Sequence, residues 1–147
     1  MHADSFPIPD LSFEPLRPFW AAAARKKLEL PRCAQCHTFN WYPAETCARC
    51  HALHFDWIEL APVGIIFSWA LVERPLYRPY AIIAPYVPVI VQLRDAPAVR
   101  LVTRLIDMGS SQLRMGLPVD LVFEDLAYPT AATGVIAPLA RLAINRA

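Results

Sequence analysis

The tightest constraint on this chain is its cysteines, which stand as two Cys-x-x-Cys pairs, Cys33/Cys36 and Cys47/Cys50, separated only by residues 37–46. Two such knuckles joined by a short hairpin bring four sulfurs to the corners of a tetrahedron, the geometry that Zn²⁺ takes in a closed structural site. Each pair is followed by a histidine, His37 and His51, so each also spells the Cys-x-x-Cys-His motif by which c-type haem is attached. The segment therefore carries two chemistries, one metal ion in four thiolates (zinc, or iron in the same shell) and covalent haem, with disulfides as a third outcome. Haem would need distal ligands, for which His2, His54, Met108 and Met115 are the candidates. It would also need export, and residues 1–16 mix Asp4, Asp10 and Glu14 with three prolines instead of presenting the apolar run of a leader. The balance favours structural zinc on Cys33, Cys36, Cys47 and Cys50, in a shell that leaves the metal no open position for water.

The 147 residues suffice for one ordinary domain, or for a small module joined to a compact core. Apolar residues make up 56% and charged ones 18%, with a formal net charge of +1, so the bulk electrostatics of a nucleic-acid or anionic-membrane binder is missing. No proline-free apolar run is long enough to span a bilayer, and a cytoplasmic protein is expected. Much apolar and little charged surface also points to a partner covering part of it.

Along the chain, residues 1–30 form an extended, proline-rich segment and a helical lead, the helix expected over Phe19 to Leu30 before Pro31. Residues 31–56 form the metal ribbon, with Phe39, Trp41, Tyr42 and Pro43 as its aromatic face. From Trp57 onward β-branched and aromatic runs take over: Val63–Val72, Tyr80–Leu93 (where Pro85 and Pro88 imply an edge, bulge or break), Val99–Ile106 and Val119–Phe123. Short strands without crossover helices indicate a small antiparallel barrel over residues 57–125, and an OB-fold fits the count. Residues 126–147 read as a C-terminal extension, either a partner-docking tail or a last packed strand or helix. The fold class is thus mainly β: an N-terminal helix, a rubredoxin-like zinc ribbon and a five-stranded OB-fold barrel.

The order of Phe19-Trp20, Leu28-x-Leu30-x-Arg32-Cys33-x-x-Cys36, Tyr42-Pro43, Cys47-x-x-Cys50, Trp57, Gly64, Arg74-Pro75, Pro85-Tyr86 and Gly116-Leu117-Pro118-Val119 resembles the family catalogued as domain of unknown function 35. The likeness runs from about Pro18 to Glu124, with His37 standing where the family has glycine. It implies a zinc ribbon joined to an OB-fold, acting as an accessory subunit that holds acyl-CoA and scaffolds a thiolase-like or acyl-CoA hydratase-like partner in a hetero-oligomer.

Arginines and aromatic faces are the groups suited to the phosphates and adenine of CoA. Arg74, Tyr77, Arg78 and Tyr80 cluster after the first barrel strand, and Arg100 and Arg104, four apart, share one face of a strand. Each also reads as an ordinary surface charge. No Ser/His/Asp set or paired carboxylates can be read, so the chain is expected not to be an enzyme on its own. The competing class is a single-stranded nucleic-acid module, since zinc ribbons and OB-folds both serve that role; a rubredoxin-like or haem electron carrier is the third.

Overall fold

The computed structural model describes residues 8–107, 113–126 and 133–143. His2 and Met108, named above as haem ligands, and Tyr128-Pro129 lie outside them.

The helix is shorter than its composition suggests. Helix α1 spans Arg17–Ala24, with Pro18 in its first turn. It ends in a Schellman motif: Lys26 N–H donates to Ala23 O at 2.8 Å, Lys27 N–H to Ala22 O at 3.0 Å, and Lys26 takes a φ of 60°. Leu28 and Leu30 then alternate into the core as part of strand β1 (Leu28–Cys33). Two buried leucines at period two outweigh helix propensity here.

Strand β1 pairs antiparallel with β2 (Phe55–Leu60), in register from Leu28↔Leu60 to Cys33↔Phe55. Everything between Cys33 and Phe55 is thus the closed end of a hairpin, and both knuckles sit there. Trp57, assigned above to the barrel, belongs to this ribbon, opposite Pro31.

The barrel is built from β3 (Val63–Trp69), β4 (Val87–Leu93), β5 (Arg100–Ile106), β6 (Pro118–Asp125) and β7 (Ile136–Leu142), in closed order β3-β4-β5-β7-β6. A three-strand meander whose last strand pairs in parallel with the fifth is OB topology. Of the two alternatives for the last segment, a docking tail or a last packed strand or helix, the strand is found: β7 closes the barrel beyond residue 125, paired with β6 along its whole length. Its proline, Pro138, had obscured it. Inside lie Ile66, Val87, Val89, Val91, Leu93, Leu101, Leu105, Val119, Leu121 and Ala140, all buried.

Two features shape the wall. The β3/β4 register shifts between Ile66 and Ser68, leaving Phe67 as a bulge, and Pro88 lies just beyond the last β3 pair, Trp69↔Val89. By contrast, the parallel β5/β7 contact is thin, pairing only Leu105↔Ala140 and Ile106↔Arg141. Helix α1 packs against both β1 and β7, joining ribbon to barrel at that thin place. Among the described residues no helix is long and apolar enough to cross a membrane.

At Gly64 β3 lies close against β4. A Cβ there would meet Gln92 O at 2.3 Å and Val91 Cγ1 at 2.7 Å. Gly64→Ala should destabilise the barrel by about 1–3 kcal/mol, read as a lower urea midpoint at unchanged m-value.

Candidate functional site

The hairpin register places Cys33 at the end of β1 and delivers Cys47 and Cys50 just ahead of β2, so the four cysteines converge. Their sulfurs all lie within 4.8 Å of one another, with Cys33 Sγ 3.5 Å from Cys50 Sγ and Cys36 Sγ 3.6 Å from Cys47 Sγ. A tetrahedron of Zn–S bonds near 2.3 Å requires sulfurs about 3.8 Å apart, so the donor set fits one ion. The Cys33–Cys50 and Cys36–Cys47 sulfurs, at 3.5 and 3.6 Å, stand wider than the roughly 2.05 Å of a disulfide and close to the spacing of a metal shell. Sulfurs this close also leave no room for two separate porphyrins on the two Cys-x-x-Cys-His motifs.

The knuckles are near copies. His37 N–H donates to Cys33 O and His51 N–H to Cys47 O, both at 2.9 Å, and both histidines take left-handed φ, 60° and 61°. That is the left-handed conformation for which glycine is favoured. Sulfur-directed amides complete each turn, from Cys36 to Cys33 Sγ at 3.5 Å and from Arg49 to Cys47 Sγ at 3.4 Å.

The thiols differ in acidity. Hydrogen bonding led by the Cys50 amide draws Cys47 down to about 6, and the Thr38 hydroxyl, 3.4 Å from Cys36 Sγ, lowers Cys36. For Cys50 the Ala52 amide pulls downward, yet burial and the sulfurs of Cys33, Cys36 and Cys47 prevail and push it up to about 12. Four thiolates cannot crowd together without a cation, and a metal ion resolves the conflict.

Sequence reasoning missed Asn40. Buried at 6% exposure, it spans both knuckles: its Nδ2 donates to Thr38 O at 2.9 Å and toward Cys47 Sγ at 3.5 Å, while its Oδ1 accepts from Ala48 N–H at 2.8 Å. A lone amide between Phe39 and Trp41 was the available signal.

The candidate CoA contacts divide into two groups. Arg74, Tyr77 and Arg78 are exposed on the 70–86 loop, where Tyr77 packs on Tyr80 at 5.4 Å and Tyr80 on Tyr86 at 6.0 Å. Arg100 and Arg104 share the outer face of β5, flanking Val102, since Leu101 and Leu105 point inward. Arg100 also has internal work: it donates to Val99 O at 3.2 Å and lies 4.1 Å over the Phe67 ring. Arg104 faces Pro88 of β4, two residues from Tyr86, so it stands at the tyrosine end of the wall.

Where β5 and β7 diverge, an apolar cleft of about 220 Å³ opens between Leu101–Thr103, Ala137–Leu139 and the side chains of Leu16, Phe19, Trp20, Trp41 and Tyr42. The aromatic roof is continuous, with Phe19 on Trp20 at 5.0 Å and on Trp41 at 4.8 Å.

Two family models match the chain in tandem: the rubredoxin-like zinc ribbon domain of ChsH2 over residues 20–55 and the C-terminal OB-fold domain of ChsH2 over residues 57–124. The chain belongs to this zinc-ribbon and OB-fold family, the proteins with domain of unknown function 35. It is 27% identical to a solved chain described as Ltp2-ChsH2(DUF35) aldolase, with a TM-score of 0.76 over 95% of this chain and 100% of that one. It is 32% identical over 104 residues to a probable enoyl-CoA hydratase alpha subunit of Thermomonospora curvata; the match takes in 70% of this chain and only 31% of that protein. A Sulfolobus solfataricus protein of the same family, 9% identical at a TM-score of 0.57 over 86% of this chain and 84% of its own, shares the fold.

These relatives correct one expectation. The expectation that the chain is not an enzyme on its own does not agree with a full-length match to a protein described as an aldolase, or with a relative named as a hydratase subunit. Such chains occur within catalytic assemblies.

Two outcomes test the metal centre. Asn40→Ala should weaken zinc binding by about 10- to 100-fold in a chelator competition, because it removes the outer support of both knuckles. Zinc affinity should rise with pH, roughly ten-fold per unit for each proton expelled. Since Cys50 keeps its proton to about 12 and Cys47 only to about 6, the dependence should steepen below pH 6.

Proposed function

We propose that this chain is the zinc-ribbon and OB-fold subunit of a hetero-oligomeric acyl-CoA-processing enzyme, seated on a thiolase-like or hydratase-like subunit and helping to hold the acyl-CoA. The full-length likeness to the aldolase chain carries the reading. The named hydratase relative supports the thioester class, although only about a third of that protein corresponds to this chain.

The surface supports the same view. Leu71, Leu76 and Tyr77 stand exposed on the 70–86 loop, and Ile65 and Phe67 are partly exposed on the β3 face, apolar side chains that a partner could cover. On this reading the loop's arginines meet the phosphates of CoA and its tyrosines offer a face to the adenine. Arg74 and Arg78 make no ion pair among the described residues, which leaves their guanidinium groups available. Zinc is the ion in the four-thiolate site, and it maintains the ribbon without entering the reaction. A reducing cytoplasm suits four unpaired thiols.

Co-expression with a thiolase-like or hydratase-like subunit encoded beside it should yield one co-eluting complex; separate elution, with that enzyme's solubility and activity unchanged, would remove the reading. Paired Arg74→Ala and Arg78→Ala substitutions should weaken CoA binding by about ten-fold or more in calorimetry, as expected for the loss of charge-assisted contacts.

A further inference from the structure

The cleft between β5 and β7 has a shape and setting that neither the metal centre nor the nucleotide contacts use. It exists because the parallel ladder pairs only at its Leu105–Ile106 end, so β5 and β7 separate over Leu101–Thr103 and Ala137–Leu139. One polar link crosses the gap, from Thr103 Oγ1 to Pro138 O at 2.6 Å. The roof is supplied from elsewhere, by α1 and by Trp41 and Tyr42 of the ribbon.

Its walls are aliphatic and aromatic, and its volume of about 220 Å³ exceeds the roughly 150 Å³ in which an engineered apolar cavity holds benzene. Val102, 53% exposed, lines the cleft from the outer face of β5, between Arg100 and Arg104 on that same face. Successive outward residues of a strand are about 6.8 Å apart, so Arg104 stands beside the apolar opening, while Arg100 is turned onto the Phe67 ring. A ligand that matches has an apolar chain or ring and an anionic carrier.

We infer that this cleft receives the acyl portion of an acyl thioester, while its anionic carrier runs over the β5 face toward Arg104 and the Tyr77–Tyr80–Tyr86 cluster. The inference rests on the acyl-CoA reading for the identity of the carrier, and on the cleft alone for the apolar part. It gives this chain a share in choosing the acyl group, and it makes the ribbon part of the binding wall, since Trp41 and Tyr42 are ribbon residues.

The test is calorimetric titration of the full chain with CoA, acetyl-CoA, hexanoyl-CoA and decanoyl-CoA, and with free hexanoate and decanoate. Affinity should grow about two- to four-fold per added methylene until the cleft is filled. Val102→Phe, at an exposed position that spares the core, should flatten that dependence. Tyr42→Ala, which shortens the roof, should shift the dependence without unfolding the barrel. If CoA and all acyl-CoAs bind equally, the cleft inference is overturned and the acyl-CoA reading survives. If the free acids show the length dependence and CoA adds nothing, the cleft inference survives and the acyl-CoA reading fails. Absence of any response overturns the inference, as does a Val102→Phe variant that loses its partner subunit while keeping the full length dependence, because the cleft would then belong to a protein segment.

Discussion

The convergence of four thiols on one point is the constraint on which the rest of the molecule hangs. Residues 34–54 contain little regular structure, and the two-stranded sheet beneath them has few residues of its own in the core. A pair of strands of that size is marginal in water unless something holds its far end. A structural metal supplies that hold, with an apparent folding contribution of about 10–16 kcal/mol in small zinc modules. The β1/β2 register, the direction of the Trp41 and Tyr42 side chains and the placing of Asn40 all follow from where the knuckles must meet.

The second dependence runs through α1. Phe19, Ala22 and Ala23 are buried, and the helix touches β1 on one side and β7 on the other. It therefore does two jobs with eight residues: it attaches the metal ribbon to the barrel and covers the place where the barrel is least well paired. The roof of the apolar cleft is a by-product of that packing, which is why one wall of the cleft comes from the ribbon and the other from β5 and β7. Metal, helix and cleft are mechanically linked in this way. The chain thus joins its metal ribbon to its barrel through a packed helix.

Much of this was legible from the residues. The cysteine spacing, the absence of crossover helices and the β-branched runs after Val63 led to a ribbon and a small barrel, and the family likeness agreed. The misses have identifiable causes. Helix propensity runs on to Leu30, whereas the period-two burial of Leu28 and Leu30 makes them strand. Ala137-Pro138-Leu139 has neither alternation nor strand composition, being buried from Ala137 to Ala140 by neighbours on both sides. A single amide between aromatics, Asn40, carries no periodic signal; only the meeting of the two knuckles gives it three partners.

The four-sulfur site and the fold class were legible in the residues because both rest on local features: sulfur spacing along a short segment, and patterns of branched and aromatic residues over a few positions each. Tertiary structure decided which strand closes the barrel, which arginines share a face with an apolar opening, and that Trp41 belongs to a wall rather than to the ribbon alone. Those outcomes depend on pairings between segments tens of residues apart, such as Phe123 with Pro138 or Leu105 with Ala140. No local pattern encodes a gap left between two strands; it appears only when the whole barrel has closed around it.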